Sequence, residues 1–204
     1  MAVGLLAHVA QIVRRDAVGV RTRRQRHDEH RRHQLELRVE AFGQRRGPSA
    51  RTLRVLPVAL ATLGQTETQV RAACRAQAHV THNNALSDAA TECLALMVQD
   101  ALHGADRNQL LQQRVIPLIT QHPEFEFRNT TPRSNPSGYV VETLHAAFQA
   151  LFGTSGFREC LVDVVNRGGD ADTTGAIAGM LAGALYGQDA LPKAWLAALE
   201  PHTR

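Results

Sequence analysis

Glycine recurs at every fourth position from Gly175 to Gly187, in the run Gly-Ala-Ile-Ala-Gly-Met-Leu-Ala-Gly-Ala-Leu-Tyr-Gly. A four-residue period lays those glycines along one stripe of a helix. Each costs about 1 kcal/mol of helix stability relative to alanine, a cost a chain tolerates when a second helix must lie very close along that stripe. The segment falls short of the ~20 apolar residues that a membrane span needs, so it reads as a buried helix in a bundle. No apolar run elsewhere is long enough to span, and no alternation of apolar and polar residues is sustained. The fold class is therefore all-α.

Immediately ahead of that helix stands Gly168-Gly169-Asp170-Ala171-Asp172-Thr173-Thr174. Two glycines allow a sharp turn, and two carboxylates and two hydroxyls follow it. This is a compact oxygen-only ligand set for a hard divalent cation, manganese or magnesium, drawn from Asp170, Asp172, Thr173 and Thr174. The plain alternative is that Asp170 and Thr173 merely cap the helix, accepting from free N–H groups at its start. The helix dipole favours negative charge there on either reading.

The 204 residues suffice for one domain with a sizeable core. The formal charge of +4 is unevenly placed: residues 1–54 hold thirteen arginines against five acids, and the remainder is mildly acidic. Residues 1–52 divide from 53–204 on this ground. The stretch 21–33, Arg-Thr-Arg-Arg-Gln-Arg-His-Asp-Glu-His-Arg-Arg-His, has no apolar face to bury, so the first segment reads as a disordered or surface-lying arm. Nucleic-acid binding by such an arm is disfavoured, because Phe42 is its one aromatic for base stacking. Cys74, Cys93 and Cys160 are odd in number and widely spaced. They fit neither a disulfide framework nor a zinc site, and point to a reducing cytoplasm. Residues 2–13 lack the flanks of a secretory signal.

Along the body, Val55–Leu63 and Thr66–Ala78 read as helices. Ser87 is expected to cap the next one, whose stripe is Ala90, Cys93, Leu94, Met97 and Ala101. Leu110–Ile119 continues helically, with Pro117 expected to bend or limit it. A proline-bearing loop over 120–139 leads to helices at Val140–Phe152 and Phe157–Val165, and Leu191–Leu199 closes the chain. Three further residues are candidate ligand contacts. His82 and Asn83 lie at a helix junction, where satisfying backbone groups is the competing role. Tyr139, at the end of the long loop, either anchors that loop or meets a substrate group. Glu142, one turn into its helix, reads as a partner of the helix dipole.

Three segments in order, Gln77-Ala78-His79-Val80-Thr81-His82-Asn83-Asn84, Asn135-Pro136-Ser137-Gly138-Tyr139-Val140-Val141-Glu142-Thr143-Leu144 and the Gly168–Gly187 run, resemble the ADP-ribosylglycohydrolase family from about Leu53 to Gly187. The resemblance is to a branch that removes ADP-ribose from an arginine of the nitrogenase iron protein. It implies an orthogonal helical bundle, and hydrolysis of the bond between ribose and guanidinium with two manganese or magnesium ions. It places Thr81 and His82 beside ADP-ribose, and Asp170, Asp172 and Thr173 in one half of the metal centre. The other half comes from a Thr-Asp-Asp-Thr motif, which this sequence does not contain. The expectation is accordingly a truncated family domain over 53–204, behind an arm that is not native family sequence. The resemblance implies weak or absent turnover; the alternative is an inactive ADP-ribose-binding or structural member. The expected partners are ADP-ribose and an ADP-ribosylated protein.

Overall fold

The computed structural model describes residues 54–79 and 84–198. The expectations for the arm at 1–52, and for Thr81, His82 and Asn83, fall outside the described residues. Nine α-helices are described: α1 Val55–Ala61, α2 Glu67–His79, α3 Ala85–Leu102, α4 Arg107–Leu110, α5 Ile116–Gln121, α6 Val140–Gly153, α7 Phe157–Asn166, α8 Ala171–Tyr186 and α9 Lys193–Ala198. No strand occurs among the described residues, as the absence of alternation implied.

Two helices form the centre. In α3, every residue from Ala90 to Gln99 is buried, and a helix apolar around most of its circumference must be packed on several sides. It meets α1, α2, α6 and α8. The other, α8, meets α3, α6 and α7 and is buried almost throughout from Thr173 to Ala184. Leu94 and Met97 of α3, Leu144 and Phe148 of α6, and Ile177 and Leu181 of α8 are sealed from solvent. Each such side chain contributes about 1.5–3 kcal/mol over its exposed state. Phe127, Phe148 and Phe152 cluster with centroids 5.6, 5.7 and 6.1 Å apart, Phe127 stacking on Phe152 and Phe148 tilted against both, which fastens the segment before α6 to that helix.

The glycine stripe of α8 does face another helix. Gly175 lies against Val165 and Gly179 against Leu161, both on α7. A methyl at Gly175 would sit 3.3 Å from Val165 Cγ2, and one at Gly179 would sit 3.5 Å from Leu161 Cδ1. The close approach thus demands glycine at the first position more than at the second. Gly187, at φ 75°, ends the helix instead of packing against it.

Two local expectations are corrected. The cap of α3 is Asn84, whose Oδ1 accepts from the Ser87 amide at 3.2 Å; Ser87 is buried in the first turn. Asn outcompeted Ser because both are strong caps and Asn84 sits where the chain turns in from an extended conformation. The expected helix 110–119 is split: a widened π-turn, Leu111–Val115, separates α4 from α5. Pro117 then stands in the first turn of α5, directly after the π-turn.

Candidate metal centre

The paired-acid turn is built by two glycines and a docked loop. After α7, Gly168 and Gly169 adopt φ 73° and 65°, the left-handed region, and reverse the chain into α8. The Asp170 amide donates to the Pro136 carbonyl at 2.8 Å, and the Asn135 amide donates to the Arg167 carbonyl at 2.6 Å. The loop at 135–137 is therefore strapped across the turn. A Cβ on Gly169 would stand 2.2 Å from the Pro136 oxygen, so only glycine admits this approach. Asn135 itself takes φ 54°, a conformation Asn tolerates better than most residues. Contacts between residues more than thirty apart in sequence thus join two of the segments picked out in the sequence into one structure.

Asp170 occupies the N-cap position of α8, yet its carboxylate makes no regular capping bond. The Thr173 amide and hydroxyl nevertheless act on it from the N3 position, as they would on a capping acid. The Thr174 amide and hydroxyl both donate to the Asp170 carbonyl at 3.0 Å, which satisfies the buried Thr174. Burial pushes the Asp170 carboxyl above its ordinary range, and the Asp172 carboxylate beside it pushes the same way. The hydroxyl and amide of Thr173 pull it down without prevailing. Asp172 is exposed and Thr173 is buried. Among the described residues neither acid meets a basic side chain.

Two carboxylates brought together with no cationic side chain repel, and that repulsion is what a bound divalent ion would relieve. The donor set, two carboxylates and a hydroxyl, is all hard oxygen and suits manganese or magnesium. It is a partial set: the described residues contain no group of three or more His, Cys, Asp or Glu side chains placed to hold a metal.

Tyr139 stands at the end of the strap, at the N-cap of α6. Its ring is about two-fifths exposed and its amide donates to Ser137 Oγ at 3.3 Å. The ring is thus free to meet a ligand while the backbone anchors the loop. Glu142 does more than complement a dipole. It accepts from the Ser137 amide at 2.8 Å and from Arg133 at 2.5 Å. Burial works against its ionised form, but the Ser137 bonds and the Arg133 charge outweigh that and hold it below the usual carboxylate range. On the other flank, Arg167 pairs with Asp163 at 2.6 Å and donates to Gln149 Oε1 at 2.6 Å, which in turn reaches Phe127 and Thr130. The glycine pair signalled a close backbone approach; nothing local told which loop would make it, nor that Glu142 and Arg167 would brace it.

His79 Nε2 lies 2.8 Å from Asp88 Oδ2, joining α2 to α3. The three cysteines are buried and unpaired. Burial raises Cys74 to about 11, and Cys93 and Cys160 to about 12, so they serve as inert small side chains.

The family model for ADP-ribosylglycohydrolase matches residues 6–204. The chain belongs to the ADP-ribosylglycohydrolase family. The match begins well ahead of Leu53, where the motif resemblance starts. Among curated relatives of the family, the chain is 43% identical over 148 residues to ADP-ribosyl-[dinitrogen reductase] glycohydrolase of Rhodospirillum rubrum, covering 72% of this chain and 49% of that one. It is 37% identical to ADP-ribosylarginine hydrolase Tri1 of Pseudomonas putida (strain GB-1), covering 59% and 33%. A solved ADP-ribosylglycohydrolase-related protein complex matches with a TM-score of 0.68 and 32% identity, covering 98% of this chain and 75% of that one. The chain thus spans about half, or less, of the curated relatives it matches. No described helix is long and apolar enough to cross a membrane.

Proposed function

We propose that this chain is an ADP-ribosylglycohydrolase acting on ADP-ribosylated arginine of a modified protein, the nitrogenase iron protein in the first instance. The observation that carries the reading is the pair Asp170 and Asp172, held against each other with no cation-bearing partner, on a turn strapped to the Asn135–Ser137 loop. The relatives, whose names specify dinitrogen reductase and ADP-ribosylarginine, support this choice of substrate.

In this reading Asp170, Asp172 and Thr173 would hold manganese or magnesium, which would supply Lewis-acid polarisation to ribose hydroxyls and water. Tyr139, His82 and Asn83 receive the ADP-ribose. As the bond from ribose C1″ to the guanidine nitrogen lengthens, positive charge grows on the sugar and the carboxylates stabilise it. One carboxylate takes a proton from the attacking water; the C1″–O bond forms, the C1″–N bond breaks, and the leaving guanidine gains a proton. The reaction consumes one water and yields ADP-ribose and unmodified arginine.

The sequence carries no Thr-Asp-Asp-Thr run, and oxygen sites gain affinity with carboxylate count. We therefore infer weak metal binding and weak turnover for the chain on its own, in the cytoplasm. The same observation favours a second reading, an ADP-ribose-binding member without catalysis. The purified chain incubated with manganese and ADP-ribosylarginine separates the two. Slow, manganese-dependent release of ADP-ribose that Asp170→Asn abolishes supports the enzyme. Metal-dependent binding of ADP-ribose without release supports the binder. Fast turnover would overturn the incompleteness inference.

A further inference from the structure

We propose that Glu142 is a positioning residue for the paired-acid turn, acting through the Asn135–Ser137 strap without touching metal or sugar; the inference rests on the metal-centre reading above. The strap has two sides. On one, the Glu142 carboxylate accepts from the Ser137 amide at 2.8 Å and the Thr143 hydroxyl donates to the Ser137 carbonyl at 3.3 Å. On the other, the carbonyl of the preceding residue, Pro136, accepts from the Asp170 amide at 2.8 Å. Glu142 is thereby linked to the backbone of a candidate metal ligand through one short stretch of chain.

That stretch is stiff. The ring of Pro136 fixes its φ, Asn135 is held in the left-handed region at φ 54°, and its amide is tied to the Arg167 carbonyl. It also touches the turn sterically, since no side-chain atom fits on Gly169 beneath the Pro136 oxygen. A displacement of Ser137 is therefore passed to Asp170 and is not absorbed between them. Arg133, bonded to the second oxygen of Glu142, fixes which way the carboxylate faces.

A first-turn acid that merely complements the helix dipole would turn to solvent or to its own helix amides. Glu142 reaches backwards, past the N-cap residue Tyr139, to the strap. Groups that orient metal ligands from behind typically cost 10–100-fold in metal affinity when removed, and the same scale applies here.

The test uses two conservative variants with opposite losses. Glu142→Asp keeps the charge and the dipole partner but shortens the reach to the Ser137 amide. Glu142→Gln gives up the charge but keeps an oxygen at the same reach. Manganese affinity is measured by titration of the free-ion paramagnetic resonance signal, thermal stability without metal is measured alongside, and amide hydrogen exchange is followed at Asp170 and Ser137. The expected result is a roughly tenfold or greater weakening of manganese binding in E142D, faster exchange at the Asp170 amide, and a melting temperature within a few degrees of the parent. E142Q is expected to stay within about threefold of the parent in affinity. The reverse order, E142Q weakened and E142D unchanged, would overturn the proposal in favour of a charge effect. Should the parent chain bind no manganese, the metal-centre reading fails, and the strap mechanism is then judged by exchange alone. An Asp170 amide that exchanges at the parent rate in E142D sinks it.

Discussion

Asp172→Asn separates a metal-binding role from a structural one, because the two predict different patterns of stability. In the metal-free chain, two terms of opposite sign act at this site. The mutation removes repulsion between Asp172 and the half-buried Asp170. Unit charges about 4 Å apart interact by roughly 1 kcal/mol in water and up to about 4 kcal/mol near a protein surface. Asp172 is exposed, so solvent screening holds the term near the lower figure. Against it, an acid in the first turn of α8 gains roughly 0.3–1 kcal/mol from the helix dipole, and that is lost. The two nearly cancel, leaving a net change within about 1 kcal/mol, or roughly 2–4 °C in melting temperature for a chain of this size.

With metal the picture changes. A ligand at a hundred times its dissociation constant stabilises the folded state by about 2.7 kcal/mol, which converts to roughly 5–11 °C. Thermal unfolding followed by circular dichroism, with and without saturating manganese, reads both numbers. The parent is expected to show the metal-dependent rise and D172N to lack it at the same manganese concentration, with the metal-free midpoints close together. If D172N keeps the full rise, Asp172 is no ligand. If its metal-free midpoint collapses by ten degrees or more, the acid is structural and the argument for a cation site loses its footing.

Gly169→Ala combines a left-handed φ of 65° with a methyl 2.2 Å from the Pro136 oxygen; the conformational cost of roughly 1–2 kcal/mol and the clash together predict a loss of at least about 2 kcal/mol in denaturant titration, and weaker manganese binding besides. Gly179→Ala goes the other way: its methyl meets Leu161 at ordinary contact distance, so the gain in helix propensity predicts up to about 1 kcal/mol of added stability, read as a higher denaturation midpoint. Stability is also predicted to fall on acidification in two stages, measured as melting temperature against pH. Burial depresses His145 below its ordinary 6.5, so its contribution is present above that pH and is lost as the pH falls through the depressed folded value. Bonds from Arg114 and Arg71 lower Glu67, the Arg128 bond lowers Glu126 to about 2, and Ser137 and Arg133 hold Glu142 low. These contributions are present above about 4.5 and are lost between there and about 2. Asp170, raised by burial and by Asp172, runs oppositely: its stability contribution is present at low pH and fades as the pH rises through its folded value.

The helices were legible because their signals are local. The buried stripe of α3 and the glycine period of α8 are visible within one or two turns of sequence, and both helices stand where those patterns put them. Errors arose where two local signals competed, as at Asn84 and Ser87, or where a proline's neighbours adjusted, as in the π-turn before Pro117. The acids of the candidate site were legible as a donor set, but its bracing was not. The contacts of Asn135 with Arg167 and of Pro136 with Asp170 span more than thirty residues, and no periodicity encodes which loop crosses which turn. Glu142 illustrates the same limit. Its place in the first turn of a helix was read correctly, while its partner, the Ser137 amide, became visible only in three dimensions.

That bracing also bears on how two like charges persist in a folded chain without a metal. Free N–H groups and the dipole at the start of α8 favour anions there, and the exposed Asp172 keeps much of its hydration. The repulsion at Asp170 is therefore carried by a turn whose backbone is fixed from outside, by the strap and by Arg167. A site held this way is already shaped before a cation arrives, so little of the binding free energy is spent on ordering it. Affinity should then respond to the strap more sharply than stability does, because loosening the strap lets the acids relax apart, which relieves the folded chain while spoiling the grip on the ion. That opposition, weaker binding with stability nearly unchanged, is what the Glu142 variants measure, and a parallel loss of both would mean that the strap only holds the fold together.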